Sequence, residues 1–153
     1  MQKKVIIELS FIVIFGIAIG IVMSVVANTF VQGVNIASEY RGSSTWATFE
    51  FRGLTYSYSG IIFLLFAAAA LNMIKSLLKI DIWGGPADSI YAAHNPKPNL
   101  DPKKGFGSTI AAFVVASSGG SVGLYGPLVH FGSTVGLFFK RLFFKRLDND
   151  VLI

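Results

Sequence analysis

Two apolar runs, each as long as a bilayer is thick, decide most of what this chain can fold into. From Val5 to about Ala27 the sequence is apolar except for Glu8, Ser10 and Ser24, and from Gly60 to about Leu78 only Asn72, Lys75 and Ser76 interrupt the run. About 20 such residues in a helix cross the hydrocarbon core, which predicts spanning helices at 5–27 and 60–78. A signal peptide competes for the first run, because Lys3 and Lys4 precede it and Val25, Val26 and Ala27 resemble a weak cleavage site. The apolar stretch exceeds the usual signal core, however, and spanning is the better reading. The 153 residues are 53% hydrophobic and 14% charged, against roughly a quarter charged in soluble domains. Such an excess of apolar surface needs lipid, and the expected class is an all-α integral membrane protein forming a single membrane domain over 1–153.

Several functions are excluded at this level. The chain has no cysteine and its two histidines, His94 and His130, are far apart, so no metal cluster and no cofactor is expected. No nucleophile, acid–base pair or metal constellation suggests an enzyme. The net charge of +5 does not point to nucleic acid, because the Lys and Arg residues flank apolar segments, as membrane proteins place them. Of the 13, only Arg41 and Arg52 fall between the two runs, whereas Lys3 and Lys4, Lys75 to Lys104, and Lys140 to Arg146 fall elsewhere. Positive residues stay on the cytoplasmic side, so a multi-pass protein of the cell (inner) membrane with a cytoplasmic N-terminus is expected. His130, Glu8, Asn72 and Lys75 read most simply as packed or interfacial groups, and the Phe, Lys and Arg repeat from Leu137 to Leu147 as an exit into an anionic interface.

Between the runs, Asn28 to Ser59 is polar and aromatic without a clear period, which predicts an exposed loop with an interfacial turn around Trp46 and Phe51. After the second run, Trp83 is an interfacial aromatic, Gly84, Gly85 and Pro86 break the backbone, and Ala87 to His94 forms a short helix. Asn95 to Lys104, with Pro96, Pro98 and Pro102, reads as a loop. The region 107–144 has an apolar flank on each side of the glycine-rich stretch 117–127, and is read as a helix pair broken by glycine. Non-helical backbone at membrane depth survives only when buried in protein or lining a watery cavity, and in transporters such breaks mark the substrate site.

The chemistry, if any, is in Gly123, Leu124, Tyr125, Gly126 and Pro127. The glycines permit a tight turn, and Pro127 suits the first position of a new helix, where its missing amide costs nothing. Free amides and the positive helix end would then bind an anion without a charged side chain. Close packing of neighbouring helices is the commoner reason for small residues in membranes, and glycine spacing alone does not separate the two. A phosphate-binding P-loop is excluded, since no Lys followed by Ser or Thr closes the segment.

The segment Gly123-Leu124-Tyr125-Gly126-Pro127, followed by Val129, Gly132 and Gly136, resembles the Gly-Arg-Glu-Gly-Pro segment of the CLC family of chloride channels and chloride/proton antiporters. Gly85-Pro86-Ala87-Asp88 is similar to the stretch ahead of the short pore helix of that family. Two spanning helices, a short helix, a loop and a broken pair follow the order of the first part of the CLC inverted-repeat fold, over nearly the whole chain. The resemblance implies anion contacts at 123–127 and filter backbone at Gly84, Gly85 and Pro86.

The departures from the family pattern carry their own expectations. Tyr125 stands where the resemblance implies a gating glutamate, and Leu124 where it implies arginine. A phenol with a pKa of about 10 stays neutral at pH 7 and donates a hydrogen bond, but is no tethered anion or ready proton shuttle. The expected function is therefore passive movement of chloride or a similar small anion, without proton coupling. The filter serine of the family is absent from Gly84-Gly85-Pro86. Since the resemblance ends after the first-half motif, the chain is expected to be incomplete alone, needing a second polypeptide or, less naturally, a homo-oligomer. The alternative is a non-conducting membrane fragment or accessory subunit that packs against partner helices.

Overall fold

The computed structural model describes residues 2–43, 47–95 and 100–143, with the side chains of 9–140 in those stretches. Trp46, the loop residues 96–99 and the chain beyond Phe143, including the end of the Leu137 to Leu147 repeat, lie outside the described residues. Among the described residues, five helices and one hairpin follow in chain order: α1 (Gln2–Gly42), β1 (Thr48–Phe51), β2 (Leu54–Ser57), α2 (Ser59–Leu78), α3 (Pro86–Ala93), α4 (Pro102–Ser117) and α5 (Tyr125–Phe143).

The first expectation to be corrected is the loop at 28–59. α1 does not stop at Ala27 but runs on to Gly42, and its 41 residues extend about 60 Å. Ala27, Phe30, Val31 and Val34 recur at helical spacing, and the chain packs them against Ala112, Phe113, Ala116, Leu124 and Leu128. That stripe turns a polar-looking segment into helix, because a helix is stabilised mainly by the face it buries. Phe30 meets Phe113 edge-on with ring centroids 5.4 Å apart.

The second correction falls in the same segment: the described residues are mostly helical, as expected, but one short hairpin stands where a loop was expected. β1 and β2 pair antiparallel in the register Thr48↔Ser57 to Phe51↔Leu54. Arg52 and Gly53 close the hairpin with φ of 53° and 79°, the left-handed pair that a two-residue turn requires. Phe49 stacks on Tyr56 at 5.4 Å, which explains why so short a ribbon forms on an exposed surface.

α4 is the hub. It packs against α1, α2 and α5, and its buried residues Gly105, Gly107, Ser108, Thr109, Ala111, Ala112 and Ala116 are all small. Small residues let helix backbones approach closely where lipid supplies no drive for association. At Gly107 a Cβ would lie 2.8 Å from Leu78 Cδ1, and at Gly105 it would lie 2.9 Å from Thr134 Cβ. Asp101 caps the helix by accepting from the Lys103 amide at 2.9 Å, with Pro102 at the first helical position. α4 therefore starts inside the segment expected to be loop.

α1 and α2 are long and apolar enough to cross a membrane, and 0% and 6% of their most apolar windows are buried within the chain. A soluble core helix would be covered. Instead Leu9, Ile14, Ile17, Ile21, Val25, Ile61, Leu65 and Phe66 all stand in the open, as lipid-facing side chains do. α2 covers 59–78, close to the predicted 60–78, and α3 is one residue upstream of the predicted 87–94.

Candidate functional site

The interest lies in the two helix N-termini that meet beside α4. After α2, Ile80 to Gly85 turns back along α4 as far as Ser108, whose Oγ accepts from the Gly84 amide at 2.8 Å. α3 starts there at Pro86. On the other side, the segment Ser118–Leu124 descends from the end of α4 before α5 begins at Tyr125. Thr109 Oγ1 reaches the Pro127 carbonyl at 3.3 Å, eight residues before the end of α4 at Ser117, or about 12 Å along a helix. The α5 N-terminus is thus recessed within the layer. The two ends touch: a Cβ on Gly126 would lie 3.4 Å from Pro86 Cγ.

Among the expected anion-contact residues, each has a distinct place. Gly123 is open, with nothing within 4 Å of a Cβ built on it. Leu124 turns its side chain into the cluster around Phe30 and Leu128, leaving only its backbone for a ligand. Tyr125 is 70% exposed. Gly126 faces Pro86, and Pro127 is not the first but the third residue of α5, still within the turn whose amides lack intrahelical partners. Among the described residues, no acceptor takes the amides of Gly123, Leu124, Tyr125 or Gly126.

Gly84, Gly85 and Pro86 behave differently. The Gly84 amide is held by Ser108, the Gly85 amide donates to Asp88 Oδ2 at 2.8 Å, and proline has none. As folded, this backbone presents no uncommitted amide of its own.

Four residues that the sequence reading did not assign to the site complete it. Ser108 and Asp88 close the α3 N-terminus. His130 is 2% exposed, with Nδ1 2.9 Å from Ser89 Oγ and Nε2 against Gly84. Arg41, near the end of the unforeseen part of α1, donates from Nη1 to the Ser117 carbonyl at 3.0 Å and from Nη2 to Ser38 Oγ at 3.2 Å. A cation there offsets the negative end of α4. It also fills the space over Gly119, whose φ is +93° and where a Cβ would lie 2.7 Å from Nη1. Asp88 carried a signal, being the third residue of a Pro-started helix, where acids bond back to the N-cap. Arg41 carried one only through the Ala27, Phe30, Val34 stripe, which extends to it.

An arrangement of two converging helix ends, one with unclaimed amides, suits an anion and offers no donor set for a metal; among the described residues no three His, Cys, Asp or Glu side chains group to hold one. No curated protein and no solved structure matches the chain. A family model described as voltage gated chloride channel matches residues 69–153, which takes in the second part of α2 and the whole of α3, α4 and α5. That segment is more than half of the sequence, and the chain belongs to the voltage gated chloride channel family.

Proposed function

We propose that the chain is an anion channel or carrier subunit in which the backbone at Gly123, Leu124, Tyr125 and Gly126 binds chloride or a similar small anion in passage. The observation that carries this reading is the set of four unclaimed amides at a recessed, positive helix end. An unpaired amide away from water costs free energy comparable to a lost hydrogen bond, and a weakly hydrated anion is the ligand that satisfies it without being held too tightly to leave.

Passage is passive and not proton-coupled. The first residue of α5 is Tyr125, exposed and bearing a phenol in place of a carboxylate, so no carboxylate competes with the anion or carries a proton there. Chain orientation follows from charge: Lys79, Lys103 and Lys104 gather at one end of the α2–α4 pair and Arg41 with the hairpin at the other, which favours a cytoplasmic N-terminus. Further anion contacts come from a second polypeptide or another copy of the chain.

The alternative is a non-conducting accessory subunit. The open glycines Gly123 and Gly136, with nothing within 4 Å of a Cβ at either, favour it as seats for a partner helix. Chloride efflux from liposomes, recorded with internal pH, separates the two. The proposed function predicts pH-silent efflux in the parent, slowed roughly tenfold by Tyr125→Glu, whose carboxylate would oppose an anion by about 1.4 kcal/mol. Confirmed insertion with no efflux in either protein, alone or with a co-expressed partner, favours the accessory subunit.

A further inference from the structure

Behind the meeting point of α3 and α5 lies a cavity of about 420 Å³ whose lining includes Gly84, Asp88, Tyr91, Asp101, Lys104 and His130. Its lining takes in Lys104 near the start of α4 and Gly84, one residue before the α3 N-cap at Gly85. His130 is the buried titratable group of that lining. Its Nδ1 is engaged with Ser89 Oγ, whereas its Nε2 is buried with no hydrogen-bond partner. His130 also lies four residues beyond Gly126, so the two share one face of α5, the face turned to Pro86 and Gly84.

We propose that His130 is the proton-controlled charge of the anion site, so that the α5 N-terminus at Tyr125 binds a small monovalent anion more tightly once the His130 ring is protonated. This deepens the proposed function and rests on it. A neutral imidazole with Nδ1 engaged has one ring nitrogen left, and here that nitrogen is buried against Gly84 without a partner. Protonating the ring, at whichever nitrogen the neutral tautomer leaves bare, puts a full positive charge one helical turn from Gly126, in surroundings where screening by water is weak. The other groups facing His130 set the background. Asp88 and Tyr91 come from α3, and Asp101 and Lys104 from the start of α4. Both carboxylates are already committed to backbone amides, Asp88 to Gly85 and Asp101 to Lys103. On its α1 side, α5 meets Met23 at Gly132, and the charged Glu39 and Arg41 of that helix lie toward its opposite end.

The proton modulates affinity without being transported in fixed ratio, so the site remains uncoupled. Binding linkage is reciprocal: if protonation strengthens anion binding, the anion raises the apparent pKa of His130 by the same factor. The test is ring-nitrogen NMR of the full-length chain in detergent, titrated from pH 8 to pH 5 with and without chloride, alongside chloride binding by calorimetry at both ends of the range. Exposed His94 is the internal reference, and His94→Gln assigns the signals. The expected result is that chloride shifts the His130 midpoint upward by half a unit or more and leaves His94 in place. Chloride affinity should fall at least threefold from pH 5 to pH 8, and His130→Gln, which keeps a polar side chain of similar reach, should flatten that dependence. Chloride binding that is equal at both pH values, with no movement of the His130 midpoint, overturns the proposal and leaves the anion site standing. Absence of chloride binding at every pH overturns the site and the proposal together.

Discussion

The α3 and α5 N-termini touch at Pro86 and Gly126, yet they are finished in opposite ways. At α3 the amides flanking Pro86 are answered from within: Ser108 takes Gly84, Asp88 Oδ2 takes Gly85 and the Gly85 carbonyl takes Asp88. At α5 the amides of Gly123 to Gly126 have no acceptor among the described residues. A helix end that neutralises itself with its own carboxylate is a fixed support, since the negative charge offsets the positive end of the dipole. One left open in a recess has binding capacity to spare. On the proposed function, α3 shapes the site and α5 holds the ligand.

The largest effect that would break this distinction is at Gly84. A Cβ there collides with His130 Nε2, and His130 is too buried to move aside. Gly84→Ala should lower stability by about 1–3 kcal/mol, the usual cost of overpacking, read as the drop in Tm in detergent. Gly126→Ala is the control, because its Cβ would make only an ordinary contact with Pro86. It should stay within about 1 kcal/mol of the parent, as alanine also favours helix. Equal losses at both positions would mean that the two helix ends are equally rigid supports.

Next in size is Asp88→Asn. It removes the charge from the capped end while leaving an oxygen to accept from Gly85, and should cost about 0.3–1 kcal/mol in stability. With one negative charge fewer beside Pro86, chloride affinity by calorimetry should rise; a fall would show that α3 is itself the ligand-holding end. The smallest effect should come from Tyr125→Phe. If backbone amides carry the binding, losing the phenol hydroxyl removes at most one neutral hydrogen bond, about 0.5–1.5 kcal/mol, and chloride affinity should drop less than about tenfold. A larger loss would move the site from the backbone to that side chain.

What was legible in the sequence differs along the chain for physical reasons. The α2 span, the short helix and the helix pair around a glycine break are written in apolar run length and in Gly and Pro. The continuation of α1 was hidden because Asn28, Gln32, Asn35 and Glu39 dilute its apolar stripe, and only the partners on α4 and α5 show that Phe30 and Val34 form a face. The hairpin was hidden by shortness: its sole strong signal is Arg52-Gly53 between Phe49, Phe51, Leu54 and Tyr56. Asp101-Pro102 marked the start of α4 and was masked by the neighbouring prolines. At the site, the motif located the open end of α5, but closure of the α3 end by Ser108 is a contact across 24 residues that no local pattern encodes.

The claim that α5 binds the anion and α3 does not is tested most directly by amide NMR of the full-length protein during a chloride titration. The account predicts saturable shifts of the amides of Gly123, Leu124, Tyr125 and Gly126, with those of Gly84 and Gly85 moving little because Ser108 and Asp88 hold them. Saturable shifts at Gly84 and Gly85, with Gly123 to Gly126 unmoved, would contradict it.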